Sequence, residues 1–240
     1  MAILIDFHVL AQALLYLFSV ACGLVVSIPL GVTTMNMKGC ILYLEVEWKN
    51  ASFFTYDLAN QTRAPCNVAI YLSVFAGIMY AFGMAAYYTY AVTRKDPNIG
   101  AQMWVVPFTL VNTFITVTFF IAACMISVGF KTFCDSYTKN AGYSRRCKDA
   151  EKTNWNFNNP SKKVDASTFY EYVRASEGAC WVMFFAWVAQ VGLGIARFIR
   201  NRRLRSQGMY ADSPGEAAAS GPGGKRAEDL TNVAAAEPTA

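Results

Sequence analysis

The sequence has few charged residues and a single histidine, and both scarcities limit what the protein does. Only 15% of its 240 residues are charged, against about a quarter in a soluble domain. It contains no P-loop, no nucleophile elbow and no His-Glu-x-x-His zinc motif. A lone histidine also lacks the partners needed for a metal or catalytic site. We therefore predict a protein that is not an enzyme and that holds no cofactor or metal.

The gaps between charges are the strongest positive signal in the chain. Four stretches contain no Asp, Glu, Lys or Arg, and a helix needs about 20 apolar residues to cross a bilayer. The N-terminus lacks the basic residues and the short apolar core of a cleaved signal peptide, so we expect the first run to be retained. The sequence predicts an all-α membrane protein, a four-helix transmembrane bundle over residues 1–200. The uncharged stretches are 9–37, 64–93, 97–130 and 178–196, and the predicted spans are 9–30, 67–92, 103–128 and 178–199.

The loop 31–66 between the first two spans predicts the orientation. It contains two N-glycosylation triplets, which begin at Asn50 and Asn60, and such acceptors belong on lumenal or extracellular loops. The short basic link between the second and third spans fits the cytosolic side. Loop 131–177 has nine Lys or Arg against six acids, but charge governs long loops weakly. We therefore place both long loops outside and both termini in the cytosol.

Four of the seven cysteines lie in these two loops. Four cysteines allow three pairings. We favour Cys40–Cys66 and Cys134–Cys147, because each bond closes its own loop and an oxidising compartment suits disulfides; pairing between the loops stays open. Zinc binding is the alternative use of four cysteines, and it is disfavoured because none has C-x-x-C spacing and no histidine lies nearby.

Polar amides and small residues occur inside the predicted spans. Asn112 and Gln190 lie at similar distances from the cytosolic ends of the third and fourth spans. Intramembrane amides are costly unless they are paired, so we predict that both hydrogen-bond within the bundle; the alternative is a polar pathway. Small residues at four-residue spacing in the second span predict close packing inside the bundle, with a homodimer interface as the alternative. These residues are Ser73, Gly77, Ala81 and Ala85.

An arginine cluster follows the fourth span and precedes a tail of different composition. Its position beside a span predicts a cytosolic flank at the membrane surface, where it can attract anionic lipid. This location argues against a nucleic-acid partner, despite the net charge of +5. Residues 201–240 are rich in Gly, Ala, Pro and Ser and predict a disordered cytosolic tail. The cluster consists of Arg197, Arg200, Arg202, Arg203 and Arg205.

Several short stretches, in a fixed order relative to the spans, resemble the transmembrane protein 179 family. The resemblance covers about residues 9–200 and implies an integral protein of secretory-pathway, granule or neuronal membranes, without implying an activity. Claudins fit less well, because they keep two closely spaced cysteines in the first loop, and tetraspanins need a Cys-Cys-Gly that is absent. The stretches are Lys38-Gly39-Cys40-Ile41-Leu42-Tyr43, Ala64-Pro65-Cys66, Ser127-Val128-Gly129-Phe130, Cys134-Asp135, Cys147-Lys148-Asp149-Ala150-Glu151, Phe169-Tyr170, Ala175, Trp181 and Trp187.

Together these features predict a non-enzymatic protein that acts by binding, as an accessory or trafficking component of plasma or secretory membranes. Its expected partners are the lipid bilayer and another membrane protein or a second copy of the chain. The alternative function is a small channel or transporter that uses Asn112 and Gln190. An intramembrane enzyme is disfavoured because no Asp, Glu, Lys or Arg lies inside an apolar run before Arg197.

Overall fold

Four long helices make up most of the structure, which is a computed structural model that describes residues 2–50, 53–56, 62–93, 105–139, 146–153, 155 and 164–206. Each helix contains a stretch that is long and apolar enough to cross a membrane. The predicted fold class, a four-helix membrane protein with two disulfides, is confirmed. The helices are α1 (Ala2–Asn36), α2 (Ala64–Leu72, Ser73–Tyr80 and Ala81–Thr93, in three consecutive segments), α3 (Val105–Lys139) and α4 (Phe169–Ser206).

The α2 helix packs closely against α1 through the predicted small-residue face. Ser73, Gly77, Ala81 and Ala85 are all buried. A Cβ atom built on Gly23 of α1 would lie 2.9 Å from the Ile78 side chain and 3.2 Å from the carbonyl oxygen of Ser73. Small residues are needed where two helix backbones approach this closely. The middle segment of α2 is π-helical, a wider winding than the α-helix.

All four helices extend beyond the predicted spans, and the extensions of α3 and α4 reach into the predicted second loop. The α3 helix continues from residue 128 to Lys139. The α4 helix begins at Phe169, nine residues before the predicted span and next to Thr168, where the sequence predicts the helix to start. The prediction that the loop begins at 131 is therefore wrong, whereas the start of α4 agrees with the helix start that the sequence predicts. The α3 extension is amphipathic, because its buried residues Phe130, Phe133 and Tyr137 recur at helical spacing. It therefore has an apolar face to bury, although the sequence of the extension also contains charged residues.

The start of α4 differs in detail from its prediction. The sequence suggests a capping box with Thr168 as N-cap and Glu171 as the returning carboxylate. In the structure the main-chain N–H groups of Tyr170 and Glu171 instead donate to Glu151 Oε1, at 2.9 and 3.3 Å. The Glu171 carboxylate pairs with Lys148. A carboxylate from elsewhere in the chain thus satisfies the free N–H groups and the helix dipole.

The segments between the helices contact α3, and we call them together the loop cap (residues 37–50, 53–56, 146–153 and 155). It contains an antiparallel hairpin of β1 (Val46–Asn50) and β2 (Phe53–Tyr56) and the 3₁₀ helix Cys147–Lys152. Helix α3 holds β1 in place: Val46 donates its N–H to Ser136 Oγ at 2.7 Å, and Trp48 Nε1 donates to the Tyr137 carbonyl at 2.8 Å.

The chain divides into one unit at Met1–Arg197 and a second at Phe198–Ala240. Helix α4 continues into the second unit, so residues 201–206 are helical rather than disordered as predicted. This stretch contains arginine and leucine, which are good helix formers, and no proline or glycine. The rest of the predicted tail, 207–240, lies outside the described residues.

Candidate functional site

Each of the four helices contributes polar or amphipathic side chains to one buried cluster. The first half of α1, the second half of α2, the start of α3 and the second half of α4 meet there. Because so few polar groups lie inside the candidate spans, their meeting point is the candidate site. We call it the polar core and define it as Gln12, Tyr16, Tyr80, Tyr88, Asn112, Trp187, Gln190 and Arg197.

Asn112 links three helices. Its Nδ2 donates to the Tyr16 hydroxyl of α1 at 2.7 Å. Its Oδ1 accepts a hydrogen bond from the Tyr80 hydroxyl of α2 at 3.0 Å. Both the donor and the acceptor of this buried amide are thus used within the protein, as the cost of burying an amide requires.

Gln190 also contacts α1, but it bonds to a main-chain group rather than to a side chain. Its Nε2 donates to the main-chain carbonyl of Gln12 at 3.0 Å. Asn112 and Gln190 thus both hydrogen-bond within the bundle, but they do not form a pair with one another. Each instead bonds to α1, at Tyr16 and at Gln12, because positions four residues apart lie one helical turn apart on one face.

Arg197 also turns into the protein. Only 8% of it is exposed, its Nη1 donates to Gln12 Oε1 at 3.0 Å, and its guanidinium lies 5.6 Å from the centroid of the Tyr88 ring. A cation over an aromatic face is a favourable arrangement. The sequence grouped this residue with the membrane-surface arginines, and the structure corrects that assignment. By contrast, Arg202 and Arg203 are exposed.

Aromatic rings fill the space between these polar groups. The Trp187 ring stacks on the rings of Phe119 in α3 and of Tyr80, with centroid distances of 6.2 and 6.0 Å. It meets the Tyr16 ring edge-on, with a centroid distance of 5.8 Å. Tyr16 in turn stacks on Tyr88 at 5.6 Å. Such pairs add to the stabilisation from burial. The polar core is thus a packed network of amides, phenols, one indole and one guanidinium.

At the opposite end of the bundle, two disulfides hold the loop cap. Cys40–Cys66 joins the turn after α1 to the first turns of α2, with a Cα–Cα distance of 5.7 Å. Cys134–Cys147 joins α3 to the 3₁₀ helix, with a Cα–Cα distance of 5.1 Å. This is the pairing that the sequence favours, although Cys66 and Cys134 lie on helices rather than in loops.

Two of the stretches that resemble the family, Lys38–Tyr43 and Ser127–Phe130, contact one another. The N–H of Tyr43 donates to the carbonyl of Gly129 at 3.1 Å. A Cβ atom on Gly129 would lie 2.8 Å from the Tyr43 ring and 2.9 Å from Leu42 Cβ, so only glycine fits there without movement. Tyr43 itself has a positive φ of 63°, which is uncommon for a bulky residue.

The 3₁₀ helix is joined to α3 and α4 by an aromatic cluster. Phe133 packs edge-on against Phe169 at 5.5 Å and stacks on Trp155 at 6.2 Å. Trp155 is almost fully buried, and its Nε1 donates to the Ala150 carbonyl at 2.8 Å. With the Glu151 contacts to α4, these rings hold the 3₁₀ helix in one position.

Of the two predicted glycosylation sites, only Asn50 falls within the described residues. Asn50 is the last residue of β1, and residues 51 and 52 of its triplet are outside the described part of the chain. Asn60 also falls outside the described residues. Their use, and the side of the membrane on which they lie, stay predictions.

Sequence reasoning missed five members of the polar core, namely Gln12, Tyr16, Tyr80, Tyr88 and Trp187, and a signal exists for three of them. Gln12 and Tyr16 are four residues apart, and Trp187, Gln190 and Arg197 follow one another at spacings of three and seven, so each set lies on one helix face. Reading these faces together with Asn112 would have pointed to a shared interior.

Four membrane-length helices, a disulfide-linked cap and an internal polar network define a small multi-pass integral membrane protein. A family model described as "Transmembrane protein 179/179B Claudin domain" matches residues 8–218. The chain belongs to this family, as its sequence stretches predict. Transmembrane protein 179B of Danio rerio is 23% identical over 200 residues, which cover 82% of this chain and 86% of the relative. No solved structure matches the chain.

The family description corrects one step of the sequence reasoning. Cysteine spacing set claudins aside, yet the matching family model carries the claudin name. The spacing criterion was too narrow because the distance between two cysteines reflects the elements that they join. Here a hairpin lies between Cys40 and Cys66, which are 26 residues apart.

Proposed function

We propose that the protein acts by binding another membrane protein, as an accessory or trafficking component, and that it is not an enzyme. The observation that carries this proposal is the hydrogen bonding of Asn112, because its amide NH₂ and its amide oxygen both bond to tyrosines of neighbouring helices. Polar groups used in this way hold helices together. They are not oriented toward a substrate or an ion.

The packing around Asn112 also disfavours the channel or transporter alternative. Rings of Tyr16, Tyr80, Phe119 and Trp187 contact one another beside the amide. A pathway lined by Asn112 and Gln190 would have to displace these rings, which lose their packing when they move. Conduction is therefore the second candidate, and a flux measurement separates the two.

The loop cap is the surface that we propose for binding. It is held by two disulfides and by the Glu151 contacts to α4, so it presents a preorganised surface that loses little entropy on association. Lys148 is paired with Glu171, but Arg146 and Lys152 are exposed beside it. These cations favour a partner segment with negative charge.

We further propose that the cap faces the lumen or the outside, with both termini in the cytosol, on plasma or secretory membranes. Disulfides persist in those compartments, and the triplets at Asn50 and Asn60 need the same side. A glycosidase-sensitive gel shift that disappears in Asn50→Gln or in Asn60→Gln is expected. Protection of the C-terminal segment from protease added outside intact cells is also expected, and its cleavage there would invert the orientation.

Two measurements test the binding function. The purified full chain in liposomes should give the same background flux of small ions as Gln190→Leu; flux above empty liposomes that this substitution removes would establish the channel instead. In cells, a photo-crosslinking residue placed at Lys152 should form an adduct with a distinct protein. The control places it at Phe114 of α3, which is 70% exposed on an apolar face; equal protein adducts from both positions would refute the role of the cap.

A further inference from the structure

The two disulfides of the loop cap differ in how well the protein shields them. Cys40 and Cys66 are both 0% exposed. Cys134 and Cys147, which form the other bond, are both partly exposed. Exchange requires a thiol to reach one sulfur of a disulfide. In the folded protein the Cys134–Cys147 bond is therefore open to reaction, whereas the buried bond must wait for local unfolding.

The exposed bond holds only the start of the 3₁₀ helix. The far end has other attachments, because the Glu151 carboxylate accepts a main-chain N–H of α4 at 2.9 Å and the Trp155 side chain beyond it is 1% exposed. At the start, Cys147 is bonded to α3, and Lys148 pairs with Glu171 between two largely exposed side chains. Exposed ion pairs contribute little to stability. The disulfide is therefore the main attachment of this end among the described contacts.

We propose that Cys134–Cys147 is a thiol-exchange site that controls the position of the start of the 3₁₀ helix. The thiolate of an external thiol attacks Cys134 Sγ and forms a mixed disulfide, and the electron pair of the broken S–S bond leaves on Cys147 Sγ as a thiolate. Cys147 is the leaving group because it lies between Arg146 and Lys148, and neighbouring cations favour a thiolate.

A second external thiol completes the reaction. Its thiolate attacks the external sulfur of the mixed disulfide and releases Cys134 as a thiolate. Two external thiols are thereby oxidised to one disulfide, and the protein disulfide is reduced to two thiols. The external thiol is thus the only reductant that the step requires.

Reduction would change the cap surface that we propose for partner binding. Arg146 and Lys148 lie at the released end, so their charges would lose their fixed positions. The Glu151 contacts would keep the other end in place. This consequence for binding rests on the proposed function. The exchange reaction does not, and it is measured without a partner, so a failure of either is recognised separately.

The test uses the purified full chain in lipid nanodiscs, kept folded and treated with 2-mercaptoethanol. An alkylating maleimide stops the reaction, and peptide mass spectrometry locates each label. Cys134 and Cys147 should be freed first, and the buried bond should react at least about tenfold more slowly because it needs local unfolding. At early times the mercaptoethanol adduct should be on Cys134 and the maleimide on Cys147. Equal rates for the two disulfides, or an adduct confined to Cys147, would overturn the proposal.

Hydrogen exchange of the same samples, followed by nuclear magnetic resonance, tests the local release. The Asp149 N–H, which donates to a carbonyl of its own helix at 2.9 Å, should exchange faster after reduction. The Tyr170 N–H, which donates to the cap carboxylate at 2.9 Å, should keep its rate. The matched control replaces Cys134 and Cys147 by serine: its Asp149 exchange should be fast before thiol is added and should not respond to thiol. Unchanged Asp149 exchange after reduction, or faster Tyr170 exchange, would refute the release of this end alone.

Discussion

Replacing Asn112 by leucine should destabilise the bundle by about 1–3 kcal/mol. The substitution keeps a side chain of similar size but removes both hydrogen bonds of the amide, to Tyr16 at 2.7 Å and to Tyr80 at 3.0 Å. Hydrogen bonds between membrane helices contribute about 0.6 kcal/mol on average and up to about 1.7 kcal/mol. The loss of two such hydrogen bonds gives a cost within the stated range. Because the Tyr80 hydroxyl also loses the oxygen to which it donates, the cost should lie above the lower end of that range.

The assay is reversible unfolding of the full chain in mixed micelles at increasing denaturing detergent, followed by tryptophan fluorescence. Thr113→Val is the control, because the neighbouring Thr113 is exposed and bonds only to the carbonyl of Thr109 in its own helix. It should change the unfolding free energy by less than about 0.5 kcal/mol. Asn112→Leu should shift the midpoint clearly further.

A double-mutant cycle with Tyr80→Phe shows whether the measured cost belongs to the hydrogen bond. If Asn112 and Tyr80 stabilise the bundle through their shared contact, the double variant should lose less than the sum of the two single variants. Exact additivity, or an Asn112→Leu protein as stable as the wild type, would refute the role of Asn112 as a link between helices.

Three further perturbations concern the loop cap. Gly129→Ala should cost about 1–3 kcal/mol of unfolding free energy, because the added methyl would lie 2.8 Å from a ring carbon and 2.9 Å from a leucine Cβ; the same detergent titration measures it. Replacing Cys134 and Cys147 together by serine should cost about 3 kcal/mol, the loop-closure value for a bond spanning 13 residues, and thermal unfolding with and without reductant checks it, since reductant should then affect the variant less. The hydrogen bond that Lys148 Nζ donates to the Glu171 carboxylate raises the pKa of Lys148 above its ordinary value of 10.5. The stability that this ion pair contributes is therefore complete below pH 10.5 and is lost as the pH rises through the raised pKa. Glu171→Gln should lower the pKa of the Lys148 ammonium group toward its ordinary value, as followed by magnetic resonance of a methylated lysine.

Charge gaps predicted the helices well, because burying a charge in a bilayer is costly and the uncharged runs have the required length. The charge gaps located the ends of the helices less well. The α3 extension through Phe133 and Tyr137 carries charges on its exposed face, so a criterion based on charge stops at Phe130, whereas the helix does not. Loop cysteines predicted the disulfides because each bond closes a short segment.

The polar core was less accessible to sequence reasoning because its geometry depends on how the helices are rotated about their axes. Asn112 and Gln190 were recognised as costly amides, but their partners are a phenol and a main-chain carbonyl on α1, and neither belongs to a motif. Arg197 appears in the sequence as the first of five arginines. Its spacing of seven residues from Gln190 places it on the inward face, and only its neighbours show which face is inward.

The two ends of the bundle are held by different chemistry, and together they favour a binding scaffold over a moving transporter. Lipid offers helices little hydrophobic driving force for association, so specific contacts must set their register. At one end α1 is fixed by Gln12 and Tyr16, which receive contacts from α3 and α4. At the other end the Cys40–Cys66 bond ties the turn after α1 to α2. Alternating access needs one group of helices to rock against another, and a helix held at both ends resists that motion while it keeps the loop cap in a constant position for a partner.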